Sequence, residues 1–270
     1  MKNYLKALII IPLLILALGI KTYTPDKVFQ AIKNKRTLYV GISQHYPPLN
    51  FNGKSGFDIE LAKAIGTFLD VKVVFRKLKI TQYISAIENR KVDVVIAGMS
   101  RNIKRGQRIW FSTPYITVTP AMLVNKRLLP QQKMGDEFES DAIKNIWDLK
   151  RLTYFTIAVK RGSAYIDLLN QQMPDMKQKL ISSNDEGFAL IKKGRINGFI
   201  HDSLYLEYMY NKDTKLRNTC TLLKGGKQVE KLCVGLPFGD IVLKNQIDLL
   251  INELKRTGHI DKWLKRYKRK

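Results

Sequence analysis

Apolar residues follow two rhythms along this chain: short, mostly apolar runs, and longer stretches in which they recur every three or four positions. The first rhythm occurs at residues 37–42 (TLYVGI), 71–75 (VKVVF), 92–97 (VDVVIA), 154–159 (YFTIAV) and 196–200 (INGFI). Runs of this kind suit strands of a parallel sheet covered on both faces, because a strand with one wet face alternates apolar and polar instead. The second rhythm predicts helices over 58–69, near 81–89, from about 163 to 172, over 184–193 and after Asp202. In the first of them Ile59, Ala62, Ile65 and Leu69 form one stripe, with Asp58 as the expected N-cap. Strands and helices thus alternate as βαβαβ, break off in a polar stretch at 126–145, and resume with the same rhythm. That stretch holds Pro130, Gly135 and the acids Asp136, Glu137, Glu139 and Asp141, and reads as a boundary. Beyond Cys233 one more strand-like segment precedes a long amphipathic helix with Ile247, Leu250, Ile251 and Leu254 on one face. Gly258 is expected just past its end, and a short last helix carries Trp263. Two α/β units in 270 residues are the expected architecture.

Ahead of this pattern, residues 7–20 (ALIIIPLLILALGI) are uncharged and apolar, with Lys2 and Lys6 before them. A charged head and a short apolar body make a secretory signal. A membrane-spanning helix needs about 20 apolar residues, so export is favoured, with an uncleaved N-terminal anchor over residues 1–20 as the alternative. Ala17 and Gly19 place small residues where cleavage would follow Gly19, and no cysteine nearby offers a thiol for lipid attachment. The two cysteines, Cys220 and Cys233, fit either a disulfide closing a hairpin-sized loop in an oxidising compartment or two buried free thiols.

Lys and Arg number 47 against 23 Asp and Glu, a formal charge of +24. The cations are spread along the whole chain and are dense only at 262–270 (KWLKRYKRK). No zinc-ligand set, helix-turn-helix pattern or aromatic-interleaved basic motif accompanies them, so nucleic acid is not expected as a partner; a diffuse cationic surface suits anionic headgroups instead. With three histidines, no metal-spaced cluster, no GxSxG elbow and no phosphate loop, the sequence points to no catalytic residue and no cofactor.

Ligands of open α/β sheets sit beyond the carboxyl ends of the strands. That rule selects residues 43–46, 98–105, 160–164, and His201 with Asp202. In GMSRNIKR, Gly98 permits close backbone approach, Ser100 and Asn102 offer donors, and Arg105 offers a guanidinium, a set that suits a carboxylate. KRGSA repeats the idea with Lys160 and Ser163 at the start of a helix. Asp202 supplies the opposite charge, either to an ammonium group or as the cap of its own helix, while His201 beside it orients a ligand or packs. An anion clamp and a carboxylate together describe a site for a zwitterion.

From about Lys35 to Lys268 the chain resembles the extracytoplasmic solute-binding proteins of amino-acid ABC importers, the family-3 type, in its glutamine-binding-protein-like form. The resemblance rests on GISQHYPPLNF followed by GFDIELAKAIG, on VDVVIAGMSRNIKRGQRIWFSTPY, and on DLKRLTYFTIAVKRGSA, GRINGFIHD and GHIDKW in that order. It implies a bilobal periplasmic-binding-protein-like α/β fold with a double-crossover hinge: lobe one over 35–125, lobe two over 126–222, and a return to lobe one over 223–270. It implies that Arg105 holds a ligand α-carboxylate with help from Gly98, Ser100, Asn102 and Ser163, that Asp202 receives the α-ammonium, that Tyr46 packs on the ligand, and that Lys160 and His201 shape the pocket. The implied ligand is a small L-amino acid, for which a polar or basic side chain fits. The implied partners are the membrane permease subunits of an ABC importer, the implied location is the periplasm, and the implied state is a non-catalytic monomer. Three positions depart from the family pattern: Asn102 stands where threonine is usual, Ile80 where many members carry a second stacking aromatic, and Ser43 where some carry an acid that reads the ligand side chain. Two other readings share the clamp, a secreted dehydratase of prephenate-like acids and a binder of a non-amino organic acid; Asp202 favours an amine-bearing ligand over both.

Overall fold

The apolar runs assemble into two five-stranded mixed sheets joined by a two-stranded ribbon. In the computed structural model the described residues are 26–129, 143–152 and 155–269. The expected leader at 1–20, Tyr154, and Pro130, Gly135 and the acidic cluster lie outside them.

Along the first half of the chain run α1 (Lys27–Lys35), β1 (Thr37–Ser43), α2 (Phe57–Phe68), β2 (Lys72–Leu78), α3 (Tyr83–Glu88), β3 (Val94–Val95), α4 (Ile103–Gly106), β4 (Trp110–Phe111), β5 (Ile116–Val118) and β6 (Pro120–Asn125). The second half holds β7 (Thr156–Lys160), α5 (Tyr165–Gln172), β8 (Lys177–Ile181), α6 (Asn184–Lys192), β9 (Gly198–Asp202), α7 (Ser203–Lys212), α8 (Thr214–Thr219), β10 (Cys220–Lys224), β11 (Glu230–Leu232), β12 (Gly235–Leu236), α9 (Ile241–Arg256) and α10 (His259–Arg269).

The first sheet has the order β2-β1-β3-β12-β4 and the second β10-β6-β9-β7-β8. β1 lies parallel to β2 along its whole length, from Thr37 opposite Lys72 to Ser43 opposite Leu78, and parallel to β3 on its other side. Leu38, Val40 and Ile42 are fully buried there, as an apolar run between two layers of helices requires. In the second sheet β7 is parallel to both β8 and β9, and β6 runs antiparallel to β9.

The chain passes from the first sheet to the second through β5 and returns through β11, which pair antiparallel with Val118 opposite Glu230 and Ile116 opposite Leu232. This ribbon corrects the expected boundaries. Pro120–Asn125, assigned by pattern to lobe one, is an inner strand of the second sheet, and the second sheet ends at Lys224 rather than before residue 223. Both changes have one cause: a lobe boundary in this topology lies in the middle of extended chain, where nothing in composition marks it.

Two further expectations change. Asp58 is not the cap of α2; Gly56 takes that place, and Asp58 sits two residues further on, in the first turn, with no exposed surface. The disulfide option for Cys220 and Cys233 is not realised, and both thiols are free and buried. Cys220 opens β10 and packs in the core of the second lobe with Leu123, Phe199 and Leu216. Cys233 follows the hinge strand, where its amide donates to the Met99 carbonyl at 3.0 Å, and burial pushes its thiol up to about 11.

The last two helices complete the first lobe. α9 buries Leu243, Ile247, Ile251 and Leu254, Gly258 follows it with φ of 72°, and Trp263 of α10 stands edge-on to Phe57 of α2 at 5.8 Å. Among the described residues no helix is long and apolar enough to cross a membrane.

Candidate functional site

Between the lobes lies a cleft of about 550 Å³, within the range that encloses small organic ligands. Eight of the nine residues expected from the sequence line it, all except Asn102.

On the first-lobe wall, the turn after β1 is closed by reciprocal backbone hydrogen bonds of 2.8 Å between Tyr46 and Asn50, which set the Tyr46 ring over Gly98. Gly98 has φ of 59°, and a Cβ there would come within 2.4 Å of that ring, so both backbone conformation and contact call for glycine. The Gly98 amide donates to the Tyr115 hydroxyl at 3.1 Å, and Tyr115 donates to Asp58 Oδ1 at 3.1 Å. Burial pushes the Asp58 carboxyl up to about 8, against the opposing effect of Tyr115 and Gly98. Asp58 therefore supports the cleft floor from behind, through Tyr115.

Arg105 sits on α4, a single turn. Asn102 caps that turn, its side chain accepting from the Arg105 amide at 2.9 Å, which is why it faces its own helix and not the cleft. The guanidinium donates to the Ser100 carbonyl at 2.7 Å and, across the cleft, to the Gly162 carbonyl at 3.0 Å. Burial lowers the Arg105 pKa while nearby Glu230 acts in the opposite direction.

The second-lobe wall is built from strand ends. β9 terminates in His201 and Asp202, and Asp202 both caps α7, accepting from the Tyr205 amide at 2.8 Å, and faces the cleft with Oδ2. The cap is realised through Oδ1 and leaves Oδ2 on the cleft side, so capping does not use the oxygen that the ammonium reading needs. Oδ2 accepts from the Tyr46 hydroxyl and lies 2.6 Å from His201 Nδ1. Burial alone would raise the Asp202 carboxyl, but His201, Tyr46 and the Tyr205 amide together hold it below the usual carboxylate range. Tyr46, expected to pack on a ligand, also packs edge-on against His201 and Tyr205 at 5.2 and 5.3 Å, joining the two lobes.

Lys160 ends β7 and lines the cleft. No hydrogen bond or ion pair of its ammonium occurs among the described residues; burial lowers its pKa, opposed by Asp185. Ser163 lines the cleft at the start of the next helix, its hydroxyl accepting from the Tyr165 amide at 3.2 Å. Of the three departures from the family pattern, Ile80 and Ser43 line the cleft, and the Ser43 hydroxyl and carbonyl accept from Asn50.

Sequence reasoning missed a third group of lining residues, Ser182 to Asp185, which follow β8. The strand-end rule would have selected them had KQKLI been read as a strand. Its two lysines alternate with a glutamine and aliphatic residues, so no apolar run announces it. Tyr165 was one residue beyond the KRGSA segment. Glu230, which holds the Ser100 hydroxyl from behind the lining, had no signal at all, because it comes from the hinge strand.

Chemically, the cleft presents a guanidinium with hydroxyl and backbone groups on one wall and an ionised carboxylate on the other. That arrangement is complementary to a small molecule carrying both charges. Among the described residues no group of three or more His, Cys, Asp or Glu side chains could hold a metal ion.

Comparison with known proteins bears on the fold and the family. The L-cystine-binding protein TcyJ of Escherichia coli (strain K12) is 25% identical over 258 residues, covering 93% of this chain and 91% of its own length. ABC transporter arginine-binding protein 1 of the same organism is 28% identical over 167 residues, 60% of this chain and 62% of that protein. Among solved structures, the ancestral amino acid-binding protein AncCDT-1, a precursor of cyclohexadienyl dehydratase, superposes with a TM-score of 0.74 at 28% identity, over 88% of this chain and 97% of that one. An ancestral arginine-binding protein bound to arginine superposes with a TM-score of 0.70 at 29% identity, over 86% and 97% of the two chains. A family profile matches residues 38–270, and the chain belongs to the bacterial extracellular solute-binding proteins, family 3.

Proposed function

We propose that this protein is the extracytoplasmic substrate-binding component of an ABC importer and binds a small L-amino acid by closure of its lobes, presenting it to membrane permease subunits. The observation that carries this reading is the pairing of Arg105 on one wall of the interlobe cleft with an ionised Asp202 on the other. A carboxylate at Arg105, Ser100 and the backbone near Gly98 and Ser163, with an ammonium group at Asp202, uses both walls at once. A ligand that touches both lobes binds the closed arrangement better than the open one, and that differential affinity drives a hinge motion about β5 and β11. Lys160 brings a cation to the second-lobe wall, which suits a side chain ending in an acceptor.

Turnover is not part of this reading. Dehydration of a prephenate-like acid calls for a proton donor, and Asp202 is held in its acceptor form. The test is a thermal-shift screen of protein stripped by unfolding and refolding, against the common L-amino acids, L-cystine and several organic acids. Stabilisation of about 2.7 kcal/mol at ligand a hundredfold over its dissociation constant, confined to a few amino acids recovered unchanged, is the expected result. A response only to a keto or prephenate-like acid would replace the amino-acid reading by the organic-acid one.

A further inference from the structure

Glu230 opens the hinge strand β11, opposite Val118 of β5. Its carboxylate accepts a hydrogen bond of 2.5 Å from the hydroxyl of Ser100, a residue of the cleft wall. The carbonyl of the same Ser100 holds the Arg105 guanidinium, and Glu230 acts as a counter-charge to that guanidinium. The other polar groups acting on Glu230 are Tyr165 of α5 and, with like charge, Asp202 at the end of β9. Burial raises the Glu230 pKa and Asp202 adds to the rise, while Ser100, Tyr165 and Arg105 oppose it. A carboxylate of the protein's own thus occupies the Ser100 hydroxyl, one of the donors assigned above to a ligand carboxylate, and acts through space on Arg105.

We propose that Glu230 sets the affinity of the cleft by competing, as an internal carboxylate, for the Ser100 hydroxyl and the Arg105 guanidinium. The inference rests on the amino-acid reading of the site. Two ionised carboxylates at one hydroxyl donor beside one guanidinium in a buried site disfavour each other, and one of them is driven to its neutral form. When a ligand carboxylate takes over these donors, Glu230 takes one proton from solvent and becomes a carboxylic acid. The complex then holds one proton more than the separated partners. Affinity consequently falls as pH rises between the titration of Glu230 in the free protein and its higher titration in the complex, by up to about tenfold per pH unit.

The experiment is calorimetry of the native protein and Glu230→Gln with L-arginine, L-glutamine and L-cystine, from pH 5 to 8, in two buffers of different protonation enthalpy. The glutamine side chain keeps an oxygen that accepts from Ser100, so the hinge contact survives the change. Native protein is expected to take up a proton on binding and to weaken as pH rises. The variant is expected to show less uptake and to bind roughly tenfold tighter than native at pH 8. Asp202, His201, Asp185 and Lys160 also face the cleft, but they are common to both proteins, so the difference isolates Glu230. Equal proton uptake by the two proteins overturns the inference. So does a loss of affinity in Glu230→Gln as large as in Arg105→Ala, which would make Glu230 a group that holds the ligand. Conversion of prephenate by the native protein that disappears in Glu230→Gln would make it a proton donor instead. Failure of all three amino acids here, together with no response to any L-amino acid in the thermal-shift screen, overturns the amino-acid reading itself, whereas binding with equal uptake overturns this inference alone.

Discussion

The two walls of the cleft hold their charges in different ways. Asp202 is fixed where β9 meets α7: one oxygen caps the helix, the other is held by Tyr46 and His201, and the residue is 1% exposed. Arg105 rides on a single turn of helix, and both of its side-chain hydrogen bonds go to backbone carbonyls, one of them on the opposite lobe. Each charge thus has one contact across the cleft, Tyr46 to Asp202 and the Gly162 carbonyl to Arg105, but within its own lobe the acid keeps His201 and the helix cap whereas the cation keeps only the Ser100 carbonyl. In the proposed binding mode, lobe opening removes one contact from each charge and leaves the acid the better held of the two.

The sharpest way to break this comparison is Arg105→Ala. Leaving a ligand carboxylate buried without its partner is expected to cost roughly 3–5 kcal/mol of binding free energy by calorimetry. A loss under tenfold, about 1.4 kcal/mol, would place the carboxylate elsewhere.

Next in size is the support behind the first wall. The folded-state pKa of Asp58, about 8, lies above its unfolded value near 3.8, so its neutral form contributes stability below pH 4 that is lost as pH rises toward 8. Between pH 5 and pH 8 the native protein is expected to lose roughly 3–4 kcal/mol from this group, and Asp58→Asn to remove that part of the slope in urea titrations. An unchanged slope would mean that Asp58 titrates normally.

Asp202→Asn comes third. Asparagine caps helices about as well as aspartate, so the fold should tolerate the change while preference for an amine over its deaminated analogue falls by about tenfold or more, some 1.4 kcal/mol. Native protein that binds amine and deaminated analogue equally would sink the assignment. The smallest effect is expected at Lys104 and Asp167, a surface pair at 2.6 Å that crosses between the lobes. Lys104→Ala should change affinity by less than about 1 kcal/mol, and only at low salt, because exposed charges are screened. A larger loss would show that surface charge, and not the cleft, governs closure.

Much of this site was legible before the structure, for a definable reason. Gly98, Ser100, Arg105, Lys160, Ser163, His201 and Asp202 each follow a strand that apolar runs made visible, and strand ends in this fold point into one cleft. Asn102 was misplaced because a side chain that can donate to a ligand can equally cap the turn it belongs to, and the second option is local and needs no partner. β8 was invisible for the opposite reason: as an edge strand with Lys177, Lys179 and Leu180 exposed, it has no need of a continuous apolar run, and with it went Ser182 to Asp185. Asp58 carried a correct signal for the start of a helix and an incorrect one for its cap.

The order of apolar runs and helical stripes determined by itself that this chain makes two α/β units, and the residues after those runs named most of one cleft wall and part of the other. Periodicity can do this because burial of a strand or helix face is a local requirement that every residue in the element must satisfy. Only the tertiary structure decided where the lobes divide, that the two cysteines lie apart as free thiols, that Asp58 supports Gly98 through Tyr115, and that Glu230 reaches the Ser100 hydroxyl. Each of these depends on which segments the fold brings together, from Asp58 and Tyr115, 57 residues apart, to Ser100 and Glu230, 130 apart, and such pairing leaves no period in the sequence of either segment.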